Sequence, residues 1–211
     1  MLRALTINCT LKRTQAAAST LSSTARLLGE VEAEWRELGV KILPQVRAAD
    51  LNLLPGTTSD EGPGDDWPVI RRGLMEADIV VIGTPIWLGQ PSSVCKRVLE
   101  RMDAFIAEAD ETTGHMPAYG KVAGVAVVGN EAGAHHVCAE VFQALVDVGF
   151  TIPASASTYW VGEALGSVNY VDLRKTPDKT AGTTHTLAVL TAHLASALKA
   201  QPYPSVKGDG G

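Results

Sequence analysis

The sequence predicts an α/β layered fold, helices packed on both faces of a five-stranded parallel sheet, and two observations carry that prediction. Short β-type runs alternate with longer helical segments along the whole chain, and two of those runs, "DIVVIGT" (78–84) and "KVAGVAVVGN" (121–130), are apolar throughout. A strand with apolar residues at every position is covered on both faces, which is the condition of strands in a parallel sheet flanked by helices.

Each element follows from local pattern. "ALTIN" (4–8) reads as the first strand, and "TLSSTARLLGEVEAEWREL" (20–38) places Leu21, Leu27, Leu28, Val31, Trp35 and Leu38 at helical spacing, with Gly39 as stop signal. "VKILPQV" (40–46) is the second strand, and the following stretch to residue 68 is dense in Gly, Pro and Asp and reads as a loop. "VIRRGLMEA" is a short helix before the apolar third strand at 78–84; "SSVCKRVLERMDAFIAEA" is the next helix and 121–130 the fourth strand. "AHHVCAEVFQALVDVG" is a helix, "FTIPAS" the last strand, and "TTHTLAVLTAHLASALKA" the closing helix. Residues 157–182 show no clear period. Residues 1–200 are expected to form one domain, and 201–211 an unstructured tail.

Composition narrows the classes of function. A chain of 211 residues with 45% hydrophobic content can bury a substantial core without staples. A net charge of −5 argues against a general nucleic-acid binder, so any anion site has to be local. The three cysteines, Cys9, Cys95 and Cys138, are odd in number and lack metal-ligand spacing, which fits a reducing compartment, and the cytoplasm is the expected location. "MLRALTINCT" is too short an apolar run for a signal peptide, and no run of about 18 apolar residues could cross a bilayer, so no membrane anchor is expected.

In an open parallel sheet, ligands bind at the carboxyl ends of the strands, which directs attention to the loops after residues 8, 84 and 130. The first, "NCTLKRTQAAAST", is rich in hydroxyls, carries Lys12 and Arg13, and ends at Ser19 and Thr20 before a helix. A helix start offers free N–H groups and partial positive charge, which suits a phosphate, although a serine or threonine there serves equally as a simple N-cap. The loop matches neither a dinucleotide fingerprint nor a P-loop. In the second loop, "GTPIWLGQPSS", Pro85 stiffens the backbone and Gly89 admits conformations closed to other residues, leaving Ile86 and Trp87 on a rigid ledge. That ledge suits a flat apolar ligand; a subunit contact for Trp87 is the alternative.

The third loop, "GNEAGAHHVCAE", offers Asn130 and Glu131 as polar contacts and Gly133 for close backbone approach. His135 and His136 are adjacent, point about 100° apart on a helix and cannot form an i, i+4 zinc pair. Each is either a ligand contact or a satisfied polar side chain. No metal site, and no catalytic acid, base or nucleophile, is assigned.

Read together, "TLKRTQAAAST", "GTPIWLGQPSSVCKRVLERMD" and "GNEAGAHH" give the chain its resemblance to the NADPH-dependent FMN reductase family of flavodoxin-like proteins over nearly its whole length. The resemblance implies a three-layer α/β/α sandwich with strand order 2-1-3-4-5, and FMN as cofactor with NAD(P)H as co-substrate. It implies phosphate contacts from Thr10, Lys12, Ser19 and Thr20; contacts along the ring and ribityl chain from Pro85, Ile86, Trp87, Leu88 and Gly89; and contacts at the far ring edge from Asn130, Glu131, Gly133 and His135. The first loop departs from the family's commoner Gly-Ser-x-Arg form, reading Cys9-Thr10-Leu11-Lys12.

The expected activity is hydride transfer from NAD(P)H to FMN and on to a quinone, flavin or similar small acceptor, in a homodimer or homotetramer. A flavodoxin-type carrier without direct NAD(P)H turnover is the alternative, and a phosphate-sugar or nucleotide module a third. Tyr159, Trp160 and Tyr170 either line an acceptor pocket or pack a loop on the core.

Overall fold

The computed structural model describes residues 1–14 and 21–207. Strand β1 (Arg3–Asn8) is buried from Ala4 onward because it has parallel partners on both edges. On one side lie β2 (Lys41–Ile42) and β3 (Val46–Arg47), and on the other β4 (Ile79–Trp87). Strand β6 (Val122–Gly129) follows β4, and β7 (Ser157–Val161) closes the sheet, giving the order β2-β1-β4-β6-β7 with every one of these ladders parallel.

This is the flavodoxin-like 2-1-3-4-5 order in its five principal positions, but the sheet holds seven strands rather than five. Pro44 sits between β2 and β3, and a residue without an N–H divides what reads as one strand into two short ones beside β1. The seventh, β5 (Gln90–Pro91), pairs antiparallel with the end of β4.

Alternation along the strands feeds two cores. Helices α1 (Ser23–Glu37) and α6 (Asp178–Ala200) cover one face, where Leu27, Leu28, Val31, Trp35 and Leu187 meet Ala4, Ile79, Val81 and Val128. Helices α2 (Trp67–Glu76), α3 (Ser93–Met102) and α5 (Ala134–Asp147) cover the other, where Trp67, Ile70, Met102, Val137 and Val141 meet Leu5, Ile7, Val80, Ile82 and Val125. The four-residue α4 (Ala104–Ala107) continues from α3. Each fully buried Leu or Ile contributes about 1.5–3 kcal/mol relative to exposure. The α1/α6 pair is also tied by Trp35, whose indole N–H donates to Thr191 Oγ1 at 3.1 Å.

Element ends differ from the sequence expectation in three places, each for a local reason. Helix α1 begins at Ser23 because the Ser22 hydroxyl accepts the Ala25 N–H and caps it there. The closing strand is not "FTIPAS": only Thr151 of that stretch bridges Val122, Pro153 follows, and the edge strand β7 forms from residues 157–161. Part of the expected tail is held, since the Val206 N–H donates to Thr113 O and the Tyr203 hydroxyl pairs with Thr151 Oγ1 at 2.9 Å.

The long loop before α2 is anchored from the core. Arg101 of α3, fully buried, forms an ion pair with Asp65 at 2.8 Å and donates to the carbonyls of Leu54 and Thr58, with its guanidinium 5.5 Å from the Trp67 ring. Burial by itself would raise the Asp65 carboxyl, but Arg101 and the N–H groups of Glu61, Trp67 and Leu54 hold it well below the usual carboxylate range.

Candidate functional site

The three loops named by the fold rule form one continuous edge. The Cys9 N–H donates to Gly83 O, and Ser92, the N-cap of α3, donates its hydroxyl to Cys9 O at 2.6 Å while its own N–H donates to Thr84 Oγ1. The loop after β1 is thereby fastened to the chain entering and leaving the β4–β5 hairpin. Cys9 itself stays a neutral thiol, raised by its contact with the Cys95 thiol and by burial.

The second loop is not an open ledge. Strand β4 continues through Pro85 and Ile86 to Trp87 and returns through Gln90 and Pro91, leaving Leu88 and Gly89 as a two-residue turn. Both have positive φ, 53° and 75°, the requirement of the type I′ turn that matches strand twist. Gly89 adopts this freely; Leu88 is a bulky side chain in a region costing about 1–3 kcal/mol. Ile86 is buried in the core under the hairpin, whereas Trp87 is 53% and Leu88 91% exposed.

The third loop braces that turn. Glu131 accepts the Leu88 N–H at 3.0 Å on one carboxylate oxygen and the Gly89 N–H at 3.2 Å on the other. Gly133, with φ of 127°, lies so close that a Cβ there would sit 3.0 Å from Gly89 O. Beyond them His136 bridges Gln90 of the hairpin, 2.9 Å away, and Glu140 of its own helix. Asn130 points the other way, donating from its amide to Gly166 O and Val168 O and so pinning the segment after β7. His135 pairs with the Tyr159 hydroxyl at 2.9 Å, their rings edge to face.

The first loop has the chemistry of an anion site. Thr10 is nearly buried, its hydroxyl accepting the Lys12 N–H, and the Lys12 ammonium lies 3.2 Å from Leu21 O just ahead of α1. Arg13 and Arg47 stand close enough to lower the Asp50 carboxyl; burial opposes that shift, and the two hydrogen bonds from Thr14 are its larger source. Ser19 and Thr20 lie outside the described residues. Gly83 lets α1 approach the sheet: a Cβ there would fall 2.6 Å from a Leu28 methyl carbon. Beneath the loop, Asn8 is fully buried, and its amide Nδ2 has no hydrogen-bond partner among the described residues. An unpaired buried donor, a hydroxyl and a cluster of cations at a helix start suit a phosphate monoester such as that of FMN. Asn8, Thr84 and Ser92 were not singled out in the sequence; the serines of "QPSS" ahead of an apolar helix were the available signal for Ser92.

A groove of about 1020 Å³ runs along the outer flank of the hairpin between α3 and α5, touched by Leu11, Trp87, Leu88, Lys96, Leu99 and Glu140. It meets the first and second loops, but Asn130, Glu131 and Gly133 do not line it. The aromatic residues after β6 divide by position. Tyr170 is fully buried, with its hydroxyl bonded to Glu30 and Arg26 over its ring at 4.8 Å. Trp160 packs beside it, ring centroids 5.4 Å apart, so these two fasten the loop to α1. Among the described residues no cluster of three potential metal ligands occurs, and no helix is long and apolar enough to cross a membrane.

The family description "NADPH-dependent FMN reductase" matches residues 2–166. The 8-demethyl-8-aminoriboflavin-5'-phosphate synthase of Streptomyces davaonensis is 31% identical over 214 residues, spanning 96% of this chain and 80% of its own length. A divalent metal cation transporter, MntH, of Mycobacterium bovis is 38% identical over 175 residues, 81% of this chain, and the chain spans only 25% of that relative's length. Among solved structures, RosB with bound 8-demethyl-8-formylriboflavin-5'-phosphate superposes with a TM-score of 0.84 at 30% identity, covering 96% of this chain and 82% of its own. An NADH:FMN oxidoreductase in its apo form superposes with a TM-score of 0.62 at 16% identity, covering 97% of this chain and 94% of its own, and shares the fold.

Proposed function

The chain belongs to the NADPH-dependent FMN reductase family, a flavin-related oxidoreductase with FMN as cofactor and NAD(P)H as reductant, and on that premise we propose that it reduces a small acceptor, a quinone or a free flavin. The observation that carries this reading is the single edge formed by the three loops, cationic at the first and rigid at the hairpin. FMN, when bound, supplies the redox chemistry, taking hydride from NAD(P)H and returning electrons to the acceptor. The protein's residues bind and orient. Thr10, Lys12 and the Asn8 amide would hold the phosphate. The backbone of residues 85–89 would meet the ring and ribityl chain, with Gly133 and His135 toward the far ring edge, while Asn130, its amide spent on Gly166 O and Val168 O, would hold the neighbouring segment. No side chain is needed as general acid or base for hydride transfer itself, which depends on alignment and exclusion of water.

We assign the groove beside Trp87 and Leu88 to a second copy of the chain, because two large apolar side chains stand exposed there between Lys96 on α3 and Glu140 on α5. A dimer in the cytoplasm, built from one domain per chain, is the assembly proposed.

The test is a visible spectrum after incubation with FMN, followed by steady-state NADPH and NADH oxidation with a quinone as acceptor. A protein that neither takes up FMN nor oxidises either nucleotide would sink the proposal, and one that binds FMN without turnover is an electron carrier. A second reading is favoured by the relative that makes an aminated riboflavin phosphate: the flavin phosphate is itself modified. Mass spectrometry of the flavin recovered after turnover separates the two, since a cofactor returns with unchanged mass.

A further inference from the structure

We infer that Glu131 is a positioning residue: it shapes the flavin-facing hairpin by holding the Leu88–Gly89 turn and makes no contact with the flavin. The inference rests on the proposed FMN site and goes on to name what fixes its geometry. Three observations support it. Both carboxylate oxygens of Glu131 are already engaged, one by the Leu88 N–H at 3.0 Å and one by the Gly89 N–H at 3.2 Å. The turn they hold is strained, because Leu88 occupies φ of 53°, a conformation uncommon for any non-glycine residue and costly for a bulky one. A strained backbone persists only where its surroundings determine it, and the surroundings here are the Glu131 carboxylate and the Gly133 backbone seated on Gly89.

The exposure of Leu88 strengthens the case. At 91% exposed, its side chain gains nothing from packing within its own chain that would offset the conformation. Beside the β4–β5 pairing that closes the hairpin, the two charge-assisted N–H···O bonds favour the turn over an extended alternative. Residues 85–87 lead directly into this turn, so its conformation sets the direction in which their amides face the ring. Each oxygen keeps a second lone pair, so a turn-holding role is separated from a flavin contact by whether restoring the turn without the carboxylate restores affinity.

The experiment compares wild type with Glu131→Ala, Glu131→Gln and the double variant Leu88→Asn/Glu131→Ala. Asparagine adopts positive φ readily, and Asn-Gly is the preferred type I′ pair, so the double variant keeps the turn without the carboxylate. The readouts are FMN dissociation constants from fluorescence quenching, melting temperatures of the FMN-free proteins, and the Leu88 and Gly89 amide resonances. We expect Glu131→Ala to weaken FMN by at least about tenfold, Glu131→Gln to fall between, and the double variant to return within about threefold of wild type. The two amide resonances should lose their carboxylate-bonded shift in Glu131→Ala.

FMN affinity in Glu131→Ala equal to wild type overturns the inference, as does a loss that Leu88→Asn fails to rescue, which would mark Glu131 as a flavin contact. If Glu131→Ala does not fold, the same comparison of affinity and amide shifts is decided by Glu131→Gln. Wild-type protein that binds no FMN removes the functional reading together with this inference; FMN binding that is indifferent to Glu131 removes the inference alone.

Discussion

Gly133, the N-cap of α5, is seated on Gly89 at the tip of the hairpin, so close that a Cβ would fall 3.0 Å from the Gly89 carbonyl oxygen. Gly133 also holds φ of 127°, so alanine there meets backbone strain and a steric contact together. Gly133→Ala is expected to destabilise the protein by about 1–3 kcal/mol and to weaken FMN binding, as read by urea denaturation and FMN titration. Unchanged affinity would show that the two loops need not touch for the site to form.

The first loop should read charge, not ring. Lys12→Ala and Thr10→Ala are expected to weaken FMN by about tenfold each while leaving riboflavin, which lacks the phosphate, within about twofold. The FMN loss should shrink as salt is raised, since exposed cations are screened. Equal losses for both ligands would move the phosphate away from this loop.

The buried Arg101–Asp65 pair governs the acid limb of stability. The Asp65 carboxyl is depressed in the folded protein below its unfolded value of about 3.9, so its contribution is complete above that value and is lost as pH falls through the lower folded value. Stability should therefore be level above about pH 5 and decline progressively below about pH 4, and Asp65→Asn should flatten that decline. Removing Arg101 leaves a buried carboxylate unpaired and should cost about 3–5 kcal/mol in urea denaturation, with faster proteolysis of the loop before α2.

Asn130 is expected to act on the segment after β7. Its two amide hydrogen bonds reach Gly166 O and Val168 O, and Asn130→Ala should raise amide hydrogen exchange across residues 162–168 without altering exchange in β4 or β6. Protection unchanged in that segment would place its anchoring on the backbone bonds from Gly162 N–H to Gly129 O and from Leu165 N–H to Asn130 O.

Trp87 tests the subunit proposal. Because its side chain is more than half exposed, Trp87→Ala should cost the isolated fold less than about 0.5 kcal/mol, while shifting the sedimentation profile toward monomer. A monomeric wild type, or a variant that sediments like wild type, removes Trp87 from any interface.

Much of this was legible in the chain. Apolar runs at 78–84 and 121–130 have no stable place except a sheet covered on both sides, and that fixes the layers, the direction of the strands and the edge on which ligands bind. Gly89 and Gly133 announced unusual backbone through residue type alone. Local pattern failed where the answer depended on partners distant in sequence. The edge strand at 157–161 was hidden because a strand on a sheet border carries a weak apolar pattern, and its register is chosen by β6.

The roles of individual site residues were decided by tertiary structure for the same reason. Glu131 and Asn130 are adjacent in sequence, and both have the polar character of ligand contacts. Only the fold shows one spent on a turn 42 residues away and the other on carbonyls 36 and 38 residues away. The sequence determines which groups can donate and accept; the folded chain determines which of those groups are already taken, because a hydrogen bond is satisfied by proximity in space.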